Sequence, residues 1–127
     1  MEFISVVVAA VASYAFGAVW YMALAKPWMA AAGVSEEQMN NGDKAPFIIA
    51  FVCAILVAGM MRHIFALAGI DTIGKGLIAG LGMGLFISTP WLATCYSFGN
   101  RPRKLIAIDG GYATIGSAIM GLVLTLF

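Results

Sequence analysis

The residue in this chain most suited to chemistry is Asp109. It lies six residues after Arg103, in an apolar run that continues to Phe127. If that run is a helix, a rise of ~1.5 Å per residue puts the carboxylate about 9 Å inside it. An acid at that depth in a membrane is costly, and it is a functional hypothesis by default. Asp109 is therefore the centre of the candidate site.

Polar and aromatic side chains on the other apolar runs fall at a similar depth when neighbouring runs are taken as antiparallel helices. They form one predicted layer on the cytoplasmic side with Asp109: Trp20, Tyr21, Trp91, Thr94 and Tyr112. Three interpretations of Asp109 stay open. It is an acceptor of structural hydrogen bonds, a protonatable or cation-binding group in a transport cycle, or a contact to another subunit or a lipid headgroup.

Enzyme and metal motifs are missing from the sequence. It contains no paired carboxylates, no His/Cys ligand set and no phosphate-binding glycine loop after a strand. Cys53 and Cys95 lie in separate apolar runs and are expected to be free thiols. We expect a protein without catalytic residues, metal or cofactor, and the net charge of +1 favours no nucleic-acid partner.

The composition is that of a membrane protein. Of 127 residues, 62% are hydrophobic and 10% charged, whereas soluble domains are about 45–50% apolar and about 25% charged. Four apolar runs cover about 3–25, 45–68, 73–97 and 105–127, and each reaches the ~20 residues that a bilayer requires. The sequence predicts one all-α domain, a four-helix transmembrane bundle surrounded by the lipid bilayer.

The loops predict the orientation of the bundle. The first and third loops hold five cations against two in the second: Lys26, Lys44, Arg101, Arg103 and Lys104, against Arg62 and Lys75. The positive-inside rule then places the first and third loops in the cytoplasm and both termini outside. Within the first loop, residues 28–41 are predicted to contain a short interfacial or cytoplasmic helix, with a capping box at Ser35–Gln38.

The third span carries two further signals. Gly76, Gly80 and Gly84 recur every four residues and predict close helix packing, either within the bundle or between copies. Pro90 predicts a kink because it removes a backbone donor, with Ser88 or Thr89 available to bond a freed carbonyl.

Three motifs together resemble one known family. They are Phe16-Gly-Ala-Val-Trp-Tyr21, Arg101-Pro-Arg-Lys-Leu105 and Ile108-Asp-Gly-Gly-Tyr112. The chain resembles, over essentially its whole length, the small four-span bacterial membrane proteins catalogued as domain of unknown function 1761. The resemblance implies a bacterial inner-membrane location and no known activity. The family often has Asn where this chain has Asp109, which favours a hydrogen-bonding role.

These observations favour a non-enzymatic function. We expect a packing or accessory module that self-associates, or joins a larger membrane complex, through its glycine-rich third span. The alternative is a small oligomeric channel or transporter whose site is the layer around Asp109.

Overall fold

Helices make up nearly all of the structure, a computed structural model that describes residues 2–35, 37, 42 and 44–127. The first loop follows α1 (Glu2–Ala23) and contains α2 (Ala25–Ala32). The remaining helices are α3 (Ala45–Ala68), α4 (Ile73–Met83), a π-helical turn (Gly84–Ser88), α5 (Thr89–Phe98) and α6 (Arg103–Leu126). The π-helical turn joins α4 to α5 without a break, so these three segments form one long third span.

In the described part of the chain, four helices are long and apolar enough to cross a membrane. They cover Phe3–Ala23, Ala45–Ala68, Ile73–Phe98 and Arg103–Leu126. The prediction of an all-α chain with four such helices is confirmed. The predicted ends differ by at most two residues, because the sequence alone does not locate the last hydrogen-bonded turn.

The last helix, α6, lies at the centre of the assembly. It contacts all the other helices and packs most extensively against the third span and α1, while α3 packs mainly against α1. Small residues on several sides of α6 explain this position, since they let neighbours approach from more than one direction: Gly110, Gly111, Gly116, Ser117, Ala118 and Gly121. The helix that carries the candidate acid Asp109 is therefore also the one that organises the fold.

The core combines short side chains on α1 and α3 with longer side chains on the later part of α3 and on α6. Its fully or nearly buried members are Ala9, Ala10, Ala54, Ala58, Met61, Phe65, Met120, Val123 and Leu124. By contrast, the outer faces of α3 and the third span expose large apolar side chains such as Leu56, Ile78 and Phe86. In water such faces are unfavourable, whereas in a bilayer they meet lipid of the same polarity.

The first span ends earlier than predicted, and a new helix follows at once. The prediction placed the end near residue 25, but the helical conformation breaks at Leu24, with φ −107° and ψ 18°. Pro27 has no N–H to bond the carbonyl of Ala23, and its ring crowds that carbonyl. The chain then continues as α2, which ends at Gly33 with a left-handed φ of 71°.

The structure contains a short helix in the first loop, α2 (Ala25–Ala32), which lies before the capping box. The short helix that the capping box predicts, from Ser35 to about Met39, lies largely outside the described residues.

A tight turn that contains Asn100 and Arg101 connects α5 to α6. Asn100 has a left-handed φ of 56°, and the Arg101 N–H donates to the Tyr96 carbonyl over 2.8 Å. This is the hydrogen bond of a Schellman motif, in which the left-handed position after the helix favours Gly and tolerates Asn. The turn determines where α6 begins relative to Tyr96.

We predict that Asn100→Val lowers the free energy of unfolding by about 1–2 kcal/mol, because a β-branched residue is strained at a left-handed φ. Thermal unfolding in mild detergent, followed by circular dichroism, measures the change. Asn100→Gly is the matched control and is expected to keep or slightly raise the stability. Equal melting temperatures for Asn100→Val and the unchanged chain would contradict the prediction.

Candidate functional site

Asp109 joins three helices through its two carboxylate oxygens. The Tyr21 hydroxyl, from the end of α1, donates to Oδ1 over 2.6 Å. The Tyr96 hydroxyl, from α5, donates to Oδ2 over 2.7 Å. Hydrogen bonds to an ionised acceptor are short and are stronger than neutral ones. The geometry corresponds to the first interpretation of Asp109, that of a structural acceptor.

The donors to Asp109 are hydroxyls and not cations. Within the described part of the chain, Asp109 forms no ion pair, and the ion pair found there joins Lys75 to Asp71 at the opposite end of the helices. Arg101 and Arg103 lie near the start of α6 but are exposed. The acid is therefore held by hydrogen bonds to aromatic side chains.

The glycine pair that follows Asp109 explains how the other helices approach. A Cβ at Gly111 would lie 2.7 Å from the Trp20 ring, and a Cβ at Gly110 would lie 2.8 Å from the Thr89 methyl group. With glycine at both positions, the Trp20 indole reaches the backbone of α6 and donates to the Ile108 carbonyl over 2.9 Å. The two glycines thus let side chains of α1 and α5 approach the backbone of α6 closely.

Tyr112 completes an aromatic cluster above Asp109. Its ring contacts Tyr21 edge-on at a centroid distance of 5.4 Å and stacks against Phe16 at 6.4 Å. Gly17 makes room for it, because a Cβ there would lie 2.5 Å from the Tyr112 ring. The structure therefore brings Trp20, Tyr21 and Tyr112 together with Asp109.

The structure does not bring Trp91 and Thr94 into the layer around Asp109, where the sequence predicted them. The Trp91 side chain is 69% exposed. Thr94 is also exposed and donates to the carbonyl of Pro90 on its own helix over 2.9 Å. The prediction considered depth but not rotation about the helix axis. At ~100° per residue, Trp91 and Thr94 point about 140° and about 160° away from Tyr96.

Tyr96 is the site residue that the sequence interpretation missed. In an uninterrupted α-helix it would lie about 120° from the face of Gly84, and so away from α6. The π-helical turn at Gly84–Ser88 accommodates roughly one extra residue, or about 100°, which returns Tyr96 to that face. Regular α-helical spacing of residues along the sequence does not predict this rotation.

The irregularity predicted at Pro90 takes the form of this π-helical turn, and Pro90 itself occupies the first turn of α5. Thr89, one of the two residues predicted to bond a free carbonyl, donates from Oγ1 to the Gly84 carbonyl over 2.8 Å. Its Oγ1 also lies 3.2 Å from the Gly110 carbonyl and 3.2 Å from the Thr114 hydroxyl. The turn is therefore tied to α6 directly beside Asp109.

The glycine stripe of the third span faces α6 of the same chain. A Cβ at Gly80 would overlap the Ser117 carbonyl oxygen, and one at Gly76 would overlap that of Gly121. A Cβ at Gly84 would lie 2.5 Å from the Ala113 carbonyl oxygen. Of the two alternatives that the sequence left open, the structure shows packing within the chain, so this stripe is not free to contact another copy.

The site resembles a structural acceptor more than a reactive centre, since each oxygen of Asp109 already accepts a hydrogen bond. In the part of the chain that the structure describes, no three His, Cys, Asp or Glu residues lie close enough together to hold a metal ion. Both oxygens of Asp109 have a hydroxyl donor, and the neighbouring aromatic rings pack against one another. Chemically, the arrangement locks α1, α5 and α6 together at one end.

Comparison with known proteins gives one match. The family described as "Protein of unknown function (DUF1761)" matches residues 4–125, nearly the whole chain and all of the site. Searches of curated proteins and of solved structures found no match. On the strength of the family match, the chain belongs to the DUF1761 family of proteins of unknown function.

Proposed function

We propose that the protein is a multi-pass membrane protein without enzymatic activity that acts as a packing or accessory module, associating with copies of itself or with a larger membrane complex. One observation carries the proposal: both oxygens of Asp109 accept hydrogen bonds from tyrosines of the same chain. An acid that is engaged in this way supports a structural role. The deep polar layer stabilises the helix assembly from within.

The surface for association in this proposal is the outer face of α3 and the third span. Because the glycine stripe is covered by α6, association would use the exposed large residues Leu56, Ile78 and Phe86 instead. Both spans are little buried. In the most apolar 18-residue stretch of each, 17% is buried, against 39% for the corresponding stretch of α6. Peripheral helices with one free face are the ones that a partner helix can reach.

We also propose a bacterial inner-membrane location with both termini outside the cytoplasm. Five cations lie on the first and third loops against Arg62 and Lys75 at the other end, which supports this orientation. The location rests on the membership of a family that, by the resemblance described above, consists of small bacterial membrane proteins. Labelling of a single cysteine introduced at Arg101 or Asp71, in a chain whose Cys53 and Cys95 are replaced by alanine, tests the orientation in sealed cells. Only the Asp71→Cys variant is expected to react with an impermeant reagent.

The alternative function, a small oligomeric channel or transporter, has one observation in its favour. Asp109 is a carboxylate within a span, surrounded by Tyr21, Tyr96 and Tyr112, and such residues mark ion or proton pathways in other membrane proteins. In a transporter, proton or cation binding at Asp109 would alternate with release of the tyrosine hydroxyls.

Flux through proteoliposomes separates the two functions. The purified chain is reconstituted, and proton and monovalent-cation flux is measured under a membrane potential. The samples compared are vesicles with the unchanged chain, vesicles with the Asp109→Asn variant and protein-free vesicles. A packing module is expected to show no flux above protein-free vesicles in any sample. Flux that depends on Asp109 would overturn the proposal in favour of the transporter.

The native mass in mild detergent or nanodiscs tests association. The chain has a mass of 13.4 kDa, and a module that self-associates is expected to give a discrete multiple of it. Replacing both Ile78 and Phe86 with alanine is expected to reduce that multiple without unfolding the chain. A monomer that co-purifies with no other membrane protein would contradict the accessory role.

A further inference from the structure

A second ionisable group lies inside a span, at the opposite end of the helices from Asp109. Arg62 is six residues before the end of α3 at Ala68. At ~1.5 Å per residue, its backbone is about 9 Å from that end. The sequence pattern places Arg62 in the second loop, but the helix continues past it as His-Ile-Phe-Ala-Leu-Ala. An arginine at this depth requires an anionic or polar partner.

The rest of the described chain supplies no such partner. The Nε atom of Arg62 is buried, yet it donates to no acceptor in the described residues. No carboxylate in that part of the chain forms an ion pair with Arg62, since the ion pair present there joins Lys75 and Asp71. A buried donor without an acceptor is costly. The buried Nε atom cannot meet an anion from outside the chain, so such an anion would bind the two terminal Nη atoms, which are not among the buried, unpartnered donors of the described residues.

A largely apolar groove lies between α1 and α3 and has a volume of about 590 Å³. Arg62 and His63 lie in its outer part together with Phe3 and Ala66, whereas Val6 and Ile55 line the part that lies deeper in the span. Ile55 is seven residues from Arg62, which corresponds to about 10 Å along the helix. The space beside Gly59 is open, because a Cβ there would meet only the Val6 side chain, at 4.0 Å.

We propose that this groove binds a phospholipid, with the phosphate on Arg62 and an acyl chain along Val6 and Ile55. The guanidinium group matches a phosphate geometrically and is well suited to bidentate contacts. From its position inside the span, the long arginine side chain extends towards the headgroup region. The charge at one end and the apolar lining at the other match the two parts of a single lipid molecule.

This inference rests on the membrane location in the proposed function but not on the role of Asp109. The groove and the site lie at opposite ends of α1, since the groove uses Phe3 and Val6 while the site uses Trp20 and Tyr21. Lipid binding at Arg62 would stabilise the contact between α1 and α3, which is distinct from the contact that Asp109 stabilises.

Native mass spectrometry of the detergent-solubilised chain tests the proposal. Phosphatidylglycerol is titrated against diacylglycerol with the same acyl chains, which lacks only the phosphate headgroup. We expect phosphatidylglycerol to bind at least about tenfold more tightly, and Arg62→Gln to remove that preference, as loss of a charged hydrogen-bonding partner predicts. Lys75→Gln is the matched control at the same end of the helices, and it is expected to bind like the unchanged chain.

A second variant tests the groove while leaving Arg62 in place. Gly59→Leu fills the groove next to Val6, and it is expected to weaken phosphatidylglycerol binding about tenfold. It also keeps the test informative if Arg62→Gln fails to fold. Arg62→Lys is expected to bind with intermediate affinity, because an ammonium group retains the charge but not the planar pair of donors.

Three results would overturn the inference: equal binding of diacylglycerol, undiminished binding after both Arg62→Gln and Gly59→Leu, or inorganic phosphate binding as tightly as the lipid. Extraction of the chain from membranes separates this failure from that of the proposed function. A chain that needs detergent for extraction but shows no phosphate preference contradicts the lipid site alone. A chain that stays in solution without detergent contradicts both.

Discussion

Gly80→Leu is expected to separate the third span from α6 and to lower the free energy of unfolding by about 3 kcal/mol or more. The new Cβ would overlap the Ser117 carbonyl oxygen and would also lie within 3.1 Å of the Ala118 Cα atom. These are backbone atoms in the middle of a helix, so they cannot move aside as a flexible side chain would. Overpacking costs about 1–3 kcal/mol even where side chains can rearrange.

Unfolding by SDS in mixed micelles, followed by circular dichroism, measures this effect. Gly82→Leu is the matched control, since it lies on the same helix and an added Cβ there meets nothing within 4 Å. We expect Gly82→Leu to change the stability by less than about 0.5 kcal/mol. If Gly80→Leu unfolds like Gly82→Leu, the stripe does not pack against α6.

This result also determines how an experiment on oligomers is to be designed. Because Gly80 is covered within the chain, a loss of oligomers in Gly80→Leu would reflect damage to the fold. Replacement of Ile78 and Phe86 on the exposed face tests association more directly.

Asp109→Ala has the second-largest expected effect, a loss of about 2–4 kcal/mol of unfolding free energy. The substitution leaves the hydroxyls of Tyr21 and Tyr96 without their acceptor. Each part-buried donor that loses its partner costs about 1–3 kcal/mol. Asp109→Asn retains one carbonyl oxygen and is expected to cost only about 1 kcal/mol. The SDS titration is suitable for this series too.

A double-mutant cycle shows whether the hydrogen bonds cause this loss. Tyr21→Phe is expected to cost at least about 0.5 kcal/mol less in the Asp109→Ala background than in the unchanged chain. Asp71→Ala is the control for removal of an acid: its side chain is 80% exposed, and its ion pair with Lys75 contributes little. Additive effects of Tyr21→Phe and Asp109→Ala would show that the hydrogen bond contributes nothing to stability.

Part of the site follows from counting residues along each span. Depth in a membrane is a one-dimensional property, and the helical rise converts a number of residues into a distance. For this reason the sequence placed Trp20, Tyr21, Asp109 and Tyr112 at one level, and the structure brings these four together. The four spans could be predicted equally well, because an apolar run of sufficient length is visible in the sequence alone.

The direction in which a side chain points about its helix axis is a different property. Trp91 and Thr94 have a suitable depth but point away from Asp109, whereas Tyr96, nearer the end of α5, reaches it. The π-helical turn at Gly84–Ser88 rotates α5 relative to α4, and no repeat in the sequence predicts that rotation. A residue's angular position depends on the hydrogen-bond pattern of every turn before it.

By itself, then, the sequence determined the four apolar helices, the close packing of the glycine stripe and the level of the acid. The tertiary structure decided which neighbour each of them meets: α6 of the same chain for Gly80, two tyrosines for Asp109, and an apolar groove for Arg62. The physical reason is that local patterns specify the shape and polarity of each helix face. Only the packing of all the helices together specifies what lies opposite that face.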